Sequence, residues 1–358
     1  MTIGVGIVGT GYAATKRAEA VVTEGARSQL VAVAGTPDRA QALAQRYGAQ
    51  AWPDWRQLVG RDGVDLVIVA TVNAWHSDVV EAALQVGHPV VVEYPLAVSV
   101  SQAQHLAQLA TAQHRLLHVE HIELLGGLHQ SAKANLERIG QPQTARYTTL
   151  APQHPAPQKW SYRLDRSGFP LVAALSRVSR LVDLFGQVSA VTCQRQFDAG
   201  PGPYYQACLC EATLHFSSGV VAELVYGKGA RDWPRTRRLT ISGTQGDLQF
   251  DGDQGSFRPN AQQAPATPPQ TIDVRPRRGL FLQDTQQVLD HLLTGSPLWP
   301  PLSHSLYTLA VADALRRATE TGQRIALDHV QRETDSSKPI APSQKSQTSS
   351  SKTYTAEI

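Results

Sequence analysis

The run Ile3-Gly4-Val5-Gly6-Ile7-Val8, followed at once by Gly9-Thr10-Gly11-Tyr12-Ala13-Ala14, leaves the start of this chain few ways to fold. An unbroken apolar segment of that length suits a strand covered on both faces. The G-x-G-x-x-A that follows suits a tight turn into a helix. There, Gly9 permits the turn, Gly11 lets the backbone approach a pyrophosphate, and the small Ala14 lets the helix lie close on the strand. The helix start then offers free N–H groups to phosphates. Gly9, Thr10, Gly11, Tyr12 and Ala13 are therefore expected against a bound dinucleotide.

Four more apolar runs, Gln29–Ala34, Asp65–Ala70, Pro89–Val92 and Leu116–Glu120, alternate with helical patterns. Thr36-Pro37 offers an N-cap with proline at the first helical position, and Ser99-Val100-Ser101-Gln102 has the form of a capping box. Strand–helix alternation implies right-handed crossovers and a doubly wound parallel sheet, a Rossmann dinucleotide-binding domain over residues 1–121. From residue 122 to about 330 the pattern changes. A helix-like stretch, Leu124–Ile139, leads to strands with polar alternate positions, Ala145–Leu150, Ala207–Phe216, Val220–Tyr226 and Arg238–Ser242, with a hairpin turn at Ser217-Ser218-Gly219. This half is expected to be α+β, built on a large antiparallel sheet that binds substrate. A final helix over about 302–320 is expected to pack back toward the first domain. Asn260–Gln270 reads as an exposed loop, and 331–358, rich in Ser, Thr, Lys and Gln, reads as a disordered tail.

Charge excludes some functions. With 33 Lys and Arg against 30 Asp and Glu, and no basic block interleaved with aromatics, nucleic acid is not an expected partner. No apolar stretch reaches the ~18 residues of a membrane span, and the start lacks a signal peptide's charged region and cleavage site. The chain is therefore expected to be cytoplasmic and not bound to a membrane. The three cysteines cannot build a disulfide scaffold; Cys208 and Cys210 fall on one face of a strand as buried thiols. His118, Glu120, His121 and Glu123 suggest a metal site, but strand alternation turns His121 away from His118 and Glu120. No metal is expected.

The choice of cofactor turns on the end of the second strand. Ala34-Gly35-Thr36-Pro37-Asp38-Arg39 is neutral where an acid would hold the ribose 2′-hydroxyl of NAD. Thr36 and Arg39 suit a 2′-phosphate instead, so NADPH is favoured over NADH. Asp38 comes late and suits the helix dipole. Thr71, Asn73 and His76, just outside the carboxyl end of the Asp65–Ala70 strand, are expected to line the nucleotide cleft. A turn stabilised by Asn73, with His76 on the surface, is the other reading.

The strings GIVGTGYAA, ATVNAWH and VEYP, followed by a β-rich half, resemble the glucose–fructose oxidoreductase/inositol dehydrogenase family over about residues 1–330. Sugar-oxidising members use a lysine after the glutamate of that last string and an Asp-x-x-x-His pair on a second-domain helix. Here Tyr94 follows Glu93, and Ser176 and Arg180 stand at the other two positions. A hydroxyl substrate would meet no base. VEYPLAVS, LLHVEHIELL, GFPLVAALSRVSRLVDLFG, LVYGKG and RRGLFLQDTQ resemble more closely the biliverdin reductases, and GGLHQ their cyanobacterial branch.

That resemblance implies hydride transfer from NADPH to the central methine carbon, C10, of biliverdin, with a proton to a pyrrole nitrogen. Arg177 and Arg180, three apart on one helix, project from one face and would supply cation opposite the nicotinamide. A solvated pair, or an ion pair with Asp183, is the structural alternative. Arginine stays protonated, so the pair would act by charge, the proton coming from the substrate's own nitrogen or from water, with faster turnover toward acid. Tyr94 would position the flat substrate, and Glu93 would orient the cofactor or its loop. Glu120 and Glu123 would border the substrate, while Lys228 and Arg277-Arg278 could meet its propionates. Two rival readings remain: a related reductase of another conjugated or carbonyl compound, and a nucleotide-sensing partner protein without catalysis. A monomer and a homodimer paired through the exposed sheet are both compatible with the sequence.

Overall fold

The computed structural model describes residues 2–260, 268–275 and 277–327. The first part runs β1 (Ile3–Val8), α1 (Tyr12–Thr23), β2 (Ser28–Ala34), α2 (Pro37–Tyr47), β3 (Gln50–Trp52), α3 (Trp55–Val59), β4 (Leu66–Val69), α4 (His76–Gln85), β5 (Val90–Val92), α5 (Val100–Ala112) and β6 (Leu117–Val119). Its six parallel strands lie in the order β3-β2-β1-β4-β5-β6. Every residue of β1 is buried, as an apolar run in mid-sheet requires. All strand carboxyl ends point to the edge where α1 begins.

The second part runs α6 (Ile122–Leu125), α7 (Gly127–Asn135), β7 (Pro142–Pro152), α8 (Leu164–Ser167), α9 (Pro170–Ala173) and α10 (Ser176–Phe185). It continues with β8 (Val188–Ala199), β9 (Tyr205–Phe216), β10 (Val221–Gly229), β11 (Thr236–Gly243), β12 (Gly246–Asp251), β13 (Gln254–Pro259) and β14 (Gln270–Ile272). It closes with α11 (Leu280–Thr294), α12 (Leu302–Thr321) and β15 (Ile325–Ala326). The sheet order is β14-β13-β12-β11-β7-β10-β9-β8-β15. It is mixed and mostly antiparallel: β7 and β10 pair in parallel, Val221 opposite Thr144 through Gly229 opposite Pro152. The long excursion through α8–α10, β8 and β9 supplies the crossover that a parallel pair needs. Alternation sorts the faces: Ala145, Tyr147 and Thr149 of β7 are buried, while Arg146 faces outward and pairs with Glu223 at 3.4 Å.

Several local expectations change. The stretch over 169–186 is two helices, because Ala174 leaves helical geometry between α9 and α10. Leu124–Ile139 is likewise interrupted at Gly126. Ser99 precedes α5 as foreseen, but its hydroxyl pairs with Ser101 Oγ at 2.9 Å and caps no backbone N–H. Residues 261–267 of the loop reading, and the 331–358 tail, lie outside the described residues. All three cysteines are buried and unpaired. Among the described residues, no helix is long and apolar enough to cross a membrane.

Helix α12 packs against β8, α9 and α10 on one side and against α5 and β6 on the other. Two histidines sit in this seam, and a third, His129 of α7, meets α10 beside it. His121 Nε2 lies 2.9 Å from Ser305 Oγ, Ser179 Oγ lies 2.8 Å from His304 Nε2, and His129 Nε2 lies 2.8 Å from Asp183 Oδ2. Burial pushes all three imidazoles below their ordinary value, His129 to about 4. Burial opposes ionisation of Asp183 too, but His129 and Lys133 hold its carboxyl down at about 2. The histidines are thus neutral in the fold, whereas the unfolded chain takes up protons near pH 6.5. Their contribution to stability is complete above that pH and is lost as pH falls below it, for His129 down to about 4, at about 1.4 kcal/mol per pH unit while a group is neutral in the fold and protonated in the unfolded chain. Thermal scans should give a level Tm from pH 7 to 8 and a steady fall below 6.5. A Tm that stays level to pH 4.5 would contradict this account of the seam.

Candidate active site

A cavity of about 1450 Å³ runs from the start of α1, past the ends of β2, β4, β5 and β6, to β10. Gly9 has φ +133°, and a Cβ there would strike the Ala70 carbonyl. At Gly11 nothing lies within 4 Å of where a Cβ would stand, so the missing side chain leaves open space before the first turn of α1. Thr10, Tyr12 and Ala13 line the same end. At the end of β2 the wall is formed by Gly35, Thr36 and Arg39, while Asp38, in the first turn of α2, is off it. No side chain caps α2, so the Thr36 hydroxyl is not consumed there.

Thr71, Asn73 and His76 also line the cavity, and His76 is buried, which rules out the surface reading. Each has a second task. His76 Nδ1 lies 2.8 Å from the Pro95 carbonyl, bracing the Tyr94-Pro95 turn, and Asn73 donates to Ser167 O at 3.1 Å, tying α8 to the Rossmann edge.

Beneath the ends of β5 and β6 lies a cluster that sequence reasoning missed. Arg17, fully buried on α1, donates from Nε to Glu93 Oε1 at 2.8 Å and from Nη1 to Asp284 Oδ2 at 2.5 Å. His118 Nε2 lies 3.0 Å from the other Asp284 oxygen. The Arg17 guanidinium also lies 5.2 Å from the centroid of Phe281, which meets Tyr12 edge-on over the cavity mouth. Burial works against the Arg17 charge, but Glu93 and Asp284 outweigh it and its pKa is raised. The signal was available: an arginine on the inner face of α1 demands a buried acid, but no rule names one 267 positions away.

Glu93, Tyr94, Glu120, Glu123 and Lys228 all line the cavity. The Tyr94 ring stacks on His121, with centroids 6.0 Å apart and 13° between planes. Burial pushes its phenol up and the Arg177 charge pulls it down, leaving it raised. Lys228 donates to Ser161 O at 2.5 Å and lies 4.6 Å from the Tyr162 ring centroid; burial pulls its pKa down to about 8.

Arg177 and Arg180 stand one layer behind the wall. The Arg177 guanidinium lies 5.6 Å from the Tyr226 ring centroid and donates to Ser176 Oγ at 2.7 Å. Arg180, only 1% exposed, donates to Glu123 Oε2 at 3.2 Å and lies 5.4 Å from the Tyr147 ring centroid. Tyr226 and Tyr147 present aromatic faces and Glu123 a carboxylate, and these partners draw the two guanidiniums under the surface. Asp183 takes no part, being held by His129 and by Lys133 at 2.9 Å. Glu123 collects three arginines: Arg180, Arg237 at 3.6 Å and Arg277. Arg277 and Arg278 reach the wall directly. The HVEHIE side chains turn to separate partners, and no group of three His, Cys, Asp or Glu among the described residues could hold a metal ion.

Two family models match the chain: "Oxidoreductase family, NAD-binding Rossmann fold" over residues 3–121 and "Oxidoreductase family, C-terminal alpha/beta domain" over 133–327. Among solved structures, the biliverdin reductase of Synechocystis sp. PCC 6803, in complex with biliverdin and NADP+, is 46% identical. The match covers 89% of this chain and 99% of that one, with a TM-score of 0.85. Levoglucosan dehydrogenase, in complex with NADH and levoglucosan, shares the fold at 17% identity, with a TM-score of 0.80 and 92% and 100% coverage. Mouse biliverdin reductase A is 33% identical over 129 residues, 36% of this chain and 41% of that protein. The chain thus spans about two fifths of the length of that curated relative.

Replacing Arg17 with methionine leaves the buried Asp284 and the part-buried Glu93 without their shared cation. Breaking such a pair costs roughly 3–5 kcal/mol, so Arg17→Met should lower the urea midpoint by an amount equivalent to that. A variant as stable as the parent would show that the cluster does not hold α11 to α1.

Proposed function

The chain belongs to the oxidoreductase family of these two models, and on that premise we propose that it reduces biliverdin to bilirubin with NADPH. The observation that carries the reading is the 46% identity to the Synechocystis enzyme over 89% of the chain. The cavity supports it. At about 1450 Å³ it exceeds the ~300–1,000 Å³ of an ordinary small-ligand site and has room for a dinucleotide and a second flat molecule. Its catalytic corner carries Tyr94 in place of a lysine, which suits a substrate with no alcohol proton to remove.

The cofactor's fit rests on the open space before Gly11, the free N–H groups starting α1, and Thr36 with Arg39 and no acid at the end of β2. NADPH supplies a hydride from its nicotinamide C4, destined for C10 of the tetrapyrrole. Tyr94, its ring stacked against His121 on the cavity wall, would offer a flat surface to such a substrate. Lys228, Arg277 and Arg278 are the wall cations that propionates would meet. Arg177 and Arg180, set behind Tyr226 and Glu123, would lend positive charge to the wall and so stabilise negative charge pushed onto nitrogens and lactam oxygens. Glu93, held by Arg17, keeps the Tyr94 turn in place.

Mixing the protein with NADPH and biliverdin should turn green to yellow as NADPH absorbance falls. Nucleotide binding with no colour change would indicate a silent sensor, and NADPH oxidation by other carbonyl or conjugated compounds alone would indicate a different reductase. Arg39→Ala should raise KM for NADPH by roughly ten- to a hundredfold, the worth of one charge-assisted contact, and leave KM for NADH within about twofold. Equal losses with both nucleotides would remove Arg39 from the 2′-phosphate site.

A further inference from the structure

At the ends of β5 and β6, part-buried Glu93 and buried Glu120 line the cavity floor, and the buried Asp284 of α11 lies behind them. Arg17 is shared between Glu93 and Asp284, and Asp284 also holds His118. That cation is therefore already committed twice. Glu120, 1% exposed and on the cavity wall, is the third carboxyl. Its Oε1 accepts the Ile122 N–H at 2.7 Å, while its Oε2 is sealed from water with no hydrogen-bond partner among the described residues. An ionised oxygen left so would cost several kcal/mol, and a proton removes that cost.

We propose that Glu120 is held protonated by this cluster and is the acid that protonates the tetrapyrrole during its reduction, an assignment that rests on the reading above. It replaces the water-borne or substrate-borne proton expected from the sequence. The groups that bear on Glu120 are Glu93 and Tyr94 after β5, Arg17 of α1, Asp284 of α11, and the Ile122 N–H. Burial, then Glu93, pushes the Glu120 carboxyl well above the usual carboxylate range; Arg17 and the Ile122 N–H pull the other way and Asp284 adds to the rise.

The step balances. Hydride, with two electrons, forms the new C–H bond at C10. The electron pair displaced from the conjugated system collects at the imine-type pyrrole nitrogen, where an N–H bond forms as the Glu120 O–H bond breaks. The Glu120 carboxylate is then reprotonated through the cavity it lines once the product has left, so one NADPH and one proton are consumed for each bilirubin. Glu120 is competent below its raised pKa, so the rate should fall as pH rises through that value and hold or increase toward acid.

Glu120→Gln keeps the shape and the Ile122 contact but has no proton to give. Infrared spectra of the ligand-free protein at pH 7 should show a protonated-carboxyl stretch that Glu120→Gln lacks. The same variant should bind NADPH as the parent does and lose roughly 10²–10⁴ in kcat, the usual worth of a general acid. The falling alkaline limb of the parent's rate profile should disappear with it. The proposal is overturned if the carboxyl band is missing, if Glu120→Gln turns over at the parental rate, or if the parent's rate is level from pH 5 to 9. The last measurement needs no variant. A parent that shows the band but leaves biliverdin green defeats the reductase reading, and the donor role goes with it.

Discussion

One buried cation organises the catalytic half of this molecule. Arg17 leaves the nucleotide-binding helix, pins the Glu93 end of β5, and reaches α11 through Asp284. A guanidinium can be buried at this depth only when its charge is met, and here Nε and Nη1 meet two carboxylates while Nη2 makes no hydrogen bond among the described residues. Its carboxylates therefore have little freedom to move, and neither do the elements that carry them. The Tyr94 turn follows Glu93 directly, and the Phe281 ring, which meets Tyr12 edge-on, lies against the Arg17 guanidinium.

Charge around the cavity is layered. The wall carries Lys228, Arg277, Arg278, Glu123 and Glu120, while Arg177, Arg180 and Arg237 lie behind or beside it on aromatic faces and on Glu123. Cations in the second layer lend potential without becoming solvated charges that a ligand would have to strip of water. The same economy sets a conflict over pH. The proposed acid, Glu120, would favour low pH, but the neutral histidines favour pH above 6.5. On that proposal the working range is the overlap between chemistry that gains from protons and packing that loses by them.

Much of the fold was legible because its signals are local. The apolar runs of β1, β2, β4, β5 and β6 and the turn at Gly9 declare themselves within a dozen residues. What was missed has a physical reason each time. β3 is three residues on a sheet edge, too short to show a period. β8 begins apolar and turns exposed and polar at Gln194-Arg195-Gln196 before its end at Ala199, so no single pattern runs through it. β12 and β13 form a hairpin of short strands with interspersed glycine, which weakens any strand signal. In the site, the glycine turn, Thr36, Arg39, Thr71, Asn73, His76, Glu93, Tyr94, Glu120, Glu123 and Lys228 reach one cavity. Arg177 and Arg180 stop a layer short, because spacing on a helix says which residues share a face and not what that face will meet.

The sequence alone determined the nucleotide-binding turn, the parallel sheet beneath it, and the absence of the lysine that an alcohol oxidation would need. Each depends on residues adjacent in the chain, where steric rules for glycine, alternation and strand burial act without reference to the rest of the protein. Tertiary structure decided which side chains pair: Arg17 with Glu93 and Asp284, His118 with that same aspartate, Arg180 with Glu123, while Glu120 Oε2 has no hydrogen-bond partner among the described residues. Electrostatic energies depend on distance in space and on local dielectric, and neither is written into the order of residues along a chain.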